Sequence, residues 1–142
     1  MKAKDLMIGD WVYGLYPDGS RYNSPFRISA VDTYPSNKSP RIVTEGGYGF
    51  QEEHLAPIPL TPEIFKKNGW KIWYGDEKKK CSMYATWMAD TSIMFEYYFH
   101  EGILREYWVS DEAFATFPAG MNYLHQLQHA LRLCGIEKEI EL

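Results

Sequence analysis

The sequence predicts an α+β protein in which a small SH3-like β-barrel unit is followed by an antiparallel meander sheet packed by a C-terminal helix. Three observations carry this expectation. Short apolar runs are cut by tight turns over residues 6–50, period-two alternation dominates residues 70–109, and one amphipathic stretch at 121–134 ends on glycine. The aromatic content points the same way: 5 Trp, 11 Tyr and 7 Phe make up 16% of 142 residues, and such rings favour half-buried pleated surfaces. With 45% hydrophobic residues the chain can bury a core, and its length suits one compact domain or two small lobes.

The elements follow in order. Gly9-Asp10 turns into an aromatic, β-branched strand reaching Tyr16, and Pro17-Asp18-Gly19-Ser20 supplies a β-turn. A second strand is expected at 26–31. The proline-flanked segment 34–40 reads as a loop, and Arg41–Thr44 with Tyr48–Phe50 form a hairpin around Gly46-Gly47. Thr61 as N-cap, Pro62 at the first helical position and Asn68-Gly69 as the stop define a short helix over 62–68. Strands are then expected from Trp70, over Cys81–Ala89, over Ile93–His100 and over Ile103–Val109, with turns at 75–80, Asp90-Thr91 and Glu101-Gly102. In the C-terminal helix Tyr123, Leu124, Leu127, Ala130, Leu131 and Cys134 share the apolar arc; His125, Gln128, His129 and Arg132 lie opposite, toward solvent or a partner. The alternating tail Ile136–Leu142 reads as a final strand. The organisation expected is a barrel-like unit at 1–56, a linker with a short helix at 57–69, and the sheet with its helix and last strand at 70–142, which one compact domain can contain.

Fifteen basic against nineteen acidic side chains leave a net charge of −4, so no global field draws the chain to phosphate backbones or anionic lipid. Cys81 and Cys134 are too few for a disulfide scaffold and read as reduced, buried thiols. No stretch approaches the ~18 apolar residues of a membrane span. A soluble, cytoplasmic protein without membrane contact is expected.

Three signatures bracket nearly the whole chain: Leu6-Met-Ile-Gly-Asp-Trp-Val12, then Pro57-Ile-Pro-Leu-Thr-Pro-Glu-Ile64 leading to Asn68-Gly69-Trp70, then Tyr123-Leu-His-Gln-Leu-Gln128 followed by Gly135 and an acidic tail. Together they resemble a family of small uncharacterised proteins of Bacteroidetes genomes and their mobile or phage-derived elements, the first being similar to that family's opening L-x-I-G-N-W-V and the third to its V-H-Q-L-Q-N helix. The chain departs from that pattern at Asp10 and at His129, where the family usually has asparagine, and in a slightly shorter run before Gly135. The resemblance implies a link to a mobile element and carries over no activity and no catalytic residue.

The sequence holds no strong catalytic signal. His125 and His129 have the i, i+4 spacing of two zinc-binding imidazoles, yet Gln126 stands where the H-E-x-x-H motif puts its base, and no third ligand follows; no metal or cofactor is expected. Cys81, Cys134, His54 and His100 form no metal-ligand pair. Neither a nucleophile elbow nor a phosphate loop is present, and Glu96, His100, Glu101 and Glu106 form only a weak acid–base set. Two surfaces remain as binding candidates. The meander is aromatic on both faces: Tyr84, Tyr98, Leu104 and Trp108 alternate against Trp87, Phe95, Tyr97 and Phe99, which favours a covered second face and a protein partner or self-association. Lys78, Lys79 and Lys80 with Lys71, beside Trp73 and Tyr74, form a basic hairpin tip suited to single-stranded nucleic acid or, more blandly, to a solubilising edge. The expected function is a non-enzymatic interaction or accessory module; a nucleic-acid-associated protein is the first alternative and a hydrolase around His100 and Glu96 the second.

Overall fold

A computed structural model describes residues 1–32, 40–76, 81–88, 93–110 and 122–142. The chain groups into two units: Met1–Pro59 with Tyr123–His129, and Leu60–Asn122 with Ala130–Leu142.

The first unit holds a five-stranded antiparallel sheet. Its strands are β1 (Trp11–Gly14), β2 (Phe26–Asp32), β3 (Arg41–Thr44), β4 (Gly49–Gln51) and β5 (Leu55–Pro57), in the order β4-β3-β2-β1-β5. No β4–β5 pairing closes the sheet among the described residues. The turns form where sequence chemistry demands them. Asp18 Oδ1 accepts the Ser20 N–H and hydroxyl at 2.8 and 2.6 Å, and Gly47, at φ +78°, lets its N–H reach the Thr44 carbonyl. Val12, Ile28, Ile42, Phe50 and Leu55 alternate inward and join Ala3 and Leu6 in one apolar core.

The strand β5 is an addition to the sequence reading, which placed Pro57 at the start of a linker. Three residues ending in proline carry no readable period, but proline is tolerated on an edge strand, and Gly14↔Leu55, Tyr13↔Ala56 and Val12↔Pro57 pair in register. A single-turn 310 segment, Glu52–His54, precedes it. The following residues are no exposed spacer either: Ile58 and Leu60 are buried, and the Ile58 carbonyl accepts the Leu124 N–H at 2.9 Å.

The second unit contains α1 (Pro62–Lys67) and the sheet β6 (Lys71–Asp76), β7 (Cys81–Met88), β8 (Met94–His100) and β9 (Ile103–Ser110), an antiparallel meander in sequence order. Proline at the first helical turn and Gly69 at φ +72° bound α1 as expected. Thr61 caps it through its carbonyl, which accepts the Ile64 N–H, whereas the Glu63 carboxyl is held below the usual carboxylate range chiefly by its own backbone N–H and next by the Thr61 hydroxyl. In β8 the alternation is strict: Phe95, Tyr97 and Phe99 are fully buried and Met94, Glu96 and Tyr98 half-buried. Phe65 of α1 lies 4.8 Å from Tyr97, 5.6 Å from Phe99 and 4.7 Å from Trp70, ring centre to ring centre, so this face takes the helix.

Two expectations here are corrected. Leu104 does not belong with Tyr98, because a bulge between Tyr98 and Phe99 re-sets the register; Tyr98 opposes Glu106 and Phe99 opposes Leu104, and one extra residue moves a side chain to the other face. The tail Ile136–Leu142 forms no strand. Its alternation is real, with Ile140 buried between exposed Glu139 and Glu141, but its backbone pairs with a side chain: Asn68 Nδ2 donates to the Glu141 carbonyl and Asn68 Oδ1 accepts the Glu141 N–H, both at 2.8 Å.

The helix α2 runs over Leu124–Leu133 and stops at Gly135, φ +70°. Residues Leu124–His129 group with the first unit and the remainder with the second.

Candidate functional site

Two places concentrate polar or aromatic side chains beyond the needs of packing. The first lies within the five-stranded unit, where the Gly9-Asp10-Trp11 turn meets the start of α2. Gln128 Nε2 donates to the Gly9 carbonyl at 3.0 Å and Gln128 Oε1 accepts the Trp11 N–H at 3.1 Å. Asp10, fully buried, accepts the Met7 N–H at 2.8 Å through Oδ2, and the same oxygen lies 2.7 Å from His129 Nε2. The ring of His125 sits 5.8 Å from that of His129 and 6.1 Å from Tyr123. His125 is 5% exposed, and its Nδ1 has no hydrogen-bond partner among the described residues. Burial pushes this imidazole below its ordinary value; the Asp10 carboxylate pulls upward, His129 pushes down and Asp5 pulls weakly upward.

This overturns the solvent-facing reading of His125, Gln128 and His129. The polar arc of a helix wheel marks residues that need polar partners; here Gln128 finds two backbone groups and His129 a buried carboxylate, while His125 is buried with its Nδ1 unmatched. The sequence reading missed Asp10 and Gln128. One signal bore on them: the two positions where the chain departs from the resembled pattern, 10 and 129, are the two that touch.

Chemically, a carboxylate–imidazole pair can orient a base, but His129 has no Ser, Cys or Tyr hydrogen-bonded to it among the described residues. No group of three His, Cys, Asp or Glu among them is arranged to hold a metal. Of the acid–base set, Glu96 and His100 stand apart on β8, and the Glu106 side chain lies outside the described part. Glu96 Oε1 accepts the Tyr98 hydroxyl at 3.3 Å, whereas His100 is exposed at the strand end, four residues and therefore about 13 Å along an extended strand. Cys134 is half-buried and free, and burial raises its thiol, which disfavours the nucleophilic thiolate.

The second place is the surface of the meander. Trp73 and Tyr74 are 44% and 70% exposed on β6. Lys71 Nζ lies 5.3 Å from the centre of the Trp73 ring and Lys66 Nζ 5.6 Å from that of Tyr74. Register places Trp73 opposite Tyr84, Tyr84 opposite Tyr98, and Glu96 opposite Trp108. The side chains of Tyr84 and Trp108 lie outside the described part, as do Lys78, Lys79 and Lys80 altogether. Of the aromatic candidates, Trp73 and Tyr74 are thus exposed and Tyr98 half-buried, and the lysine over Tyr74 is Lys66 of α1, which the sequence did not single out.

No family model, curated protein or solved structure matches the chain. Among the described residues no helix is long and apolar enough to cross a membrane.

Proposed function

We propose that the chain is a non-enzymatic interaction or accessory module, built from an SH3-like unit and an aromatic meander sheet, and that it belongs with the small Bacteroidetes and phage-associated proteins its motifs resemble, serving a mobile element. The SH3-like reading is supported by one antiparallel sheet in which the first strand lies between the second and the fifth, with a 310 turn before the last strand. The family reading is supported by the contact between Asp10 and His129: the two positions at which the chain departs from the resembled pattern touch each other.

One observation carries the interaction reading. Adjacent residues of a strand point to opposite faces, so Trp73 and Tyr74 give the terminal strand of the meander an exposed ring under a lysine on each face. The test is capture from a lysate of the source cells on the immobilised full chain and on Trp73→Ala/Tyr74→Ala, with and without nuclease, alongside a solution mass of the chain alone. Nuclease-resistant retention or self-association that disappears in the double variant is the expected result. Equal retention by both chains, at equal folded content, overturns it.

A second reading, association with single-stranded nucleic acid, is favoured by Lys66 and Lys71, which have no carboxylate within ion-pair distance among the described residues. It predicts retention that vanishes with nuclease and an affinity that falls steeply with salt.

A further inference from the structure

We propose that Asp10, His125 and His129 make the junction between the Met7–Trp11 turn and the first half of α2 an acid-released latch: on acidification, Leu124–His129 lets go of the turn while the five-stranded sheet stays formed.

The turn is tied to the sheet by the Gly9 N–H on the Ile28 carbonyl, the Ile28 N–H on the Asp10 carbonyl and a long bond of 3.4 Å from Arg27 Nε to the Gly9 carbonyl, and it is closed by the Asp10 N–H on the Met7 carbonyl. Side chains at the junction hold Met7 N–H (Asp10), Gly9 O and Trp11 N–H (Gln128), and Asp10 itself (His129). Two imidazoles, His125 buried and His129 half-buried, share this space with one carboxylate, Asp10, in contact with His129. A single imidazolium, on His129, is matched by Asp10. A second, on His125, has no acceptor at Nδ1 and faces the first at a ring separation of 5.8 Å. The charged groups that bear on His125 are Asp10 and Asp5 from the N-terminal segment and His129 from its own helix; Asp5 is exposed and its pull is screened.

The sign follows. The fold favours the neutral His125 ring, so its pKa lies below the ordinary 6.5 in the docked state. A group of this kind contributes stability that is fully present above its undocked value and lost as pH falls toward its docked one. The undocked ring binds the extra proton, and acid therefore opens the junction. One proton linked to opening changes the open population by up to about tenfold per pH unit.

Hydrogen exchange of individual amides in the full chain tests this. The Trp11 N–H reports the latch, because its acceptor is Gln128 on α2, and the Leu15 N–H, bonded to the His54 carbonyl, reports the sheet. Between about pH 7.5 and 5.5, Trp11 protection, corrected for the intrinsic rate, is expected to fall by tenfold or more while Leu15 protection holds. In the unmodified chain the His125 ring should titrate over the same interval, and in His125→Phe the Trp11 protection should not depend on pH. Constant Trp11 protection, a parallel loss at Leu15, or a His125 titration displaced from the loss of protection each overturns the latch, and none of these readouts needs the variant to fold.

Discussion

His129 Nε2 lies 2.7 Å from Asp10 Oδ2 across 119 residues of sequence, and that oxygen also accepts the Met7 N–H. Removing a buried carboxylate strands both donors. Asp10→Ala is therefore expected to cost about 3–5 kcal/mol in a urea titration, because breaking a buried pair leaves its partner unmatched. Asp10→Asn keeps one acceptor oxygen and should cost about 1–2 kcal/mol. Combining Asp10→Asn with His129→Asn rebuilds a neutral amide pair, so the double variant should be more stable than the sum of the single changes by at least about 0.5 kcal/mol. Strict additivity would show that the contact contributes nothing of its own.

The contrast between this junction and the meander shows what a sequence makes visible. Phe95, Tyr97 and Phe99 announce their burial through neighbours two positions away, since a strand's period is a local property, and α1 announces its ends through Pro62 and Gly69. The Gly9-Asp10-Trp11 turn announces only that it turns. Which carboxylate meets which imidazole is decided by how two distant segments pack, and His125, Gln128 and His129 look like any solvated helix face until a partner is known. The tail misled for a related reason: Ile136–Leu142 has a strand's alternation, but the backbone partner it needs is supplied by the amide of Asn68. The binding candidates were half legible. Trp73 was singled out with Lys71, whereas the pairing of Tyr74 with Lys66 joins a strand to a helix and leaves no trace in local pattern.

Phe65 is the one α1 ring on the buried face of the second sheet, fully enclosed and in edge or tilted contact with Trp70, Tyr97 and Phe99. Its contacts add to the burial of a large apolar surface. Phe65→Ala should cost about 3–5 kcal/mol through lost transfer energy and an unfilled cavity. Near-ultraviolet circular dichroism of the Trp70 environment should weaken at the same time. Phe65→Leu should retain roughly half the loss, as a partial filling of the same space.

Gly14 closes β1 with no room for a side chain. A Cβ there would stand 2.7 Å from two atoms of the Phe50 ring and 3.1 Å from Phe26. Those rings also contact one another and Tyr22, so they cannot swing aside as a lysine tip would. Gly14→Ala should therefore destabilise by about 1–3 kcal/mol through overpacking, against the usual gain of an alanine in the unfolded-chain entropy. Phe50→Leu in the same chain should recover part of the loss, measured as a shift in thermal midpoint; a stabilised Gly14→Ala would show that the aromatic cluster is loosely packed.

Asn68 does for the tail what a neighbouring strand does in a sheet. Besides its paired bonds to Glu141, its Nδ2 donates to the Ile64 carbonyl at 2.8 Å, so one buried amide ends α1 and anchors residues 136–142. Asn68→Ala removes the whole set and leaves the Glu141 N–H to water, at an expected cost of about 2–3 kcal/mol. Asn68→Asp should be no better at neutral pH, because it keeps the acceptor for Glu141 N–H but turns a carboxylate oxygen toward the two carbonyls that the amide nitrogen served. Acidification should rescue the aspartate variant in part, since its protonated form regains one donor, and should leave the alanine variant unchanged relative to the parent. Exchange at the Glu141 amide separates the two effects. It should approach the unprotected rate in Asn68→Ala at any pH, whereas in Asn68→Asp, which keeps the acceptor, protection should be partial at neutral pH and rise on acidification toward about pH 4, the ordinary range of an aspartyl group.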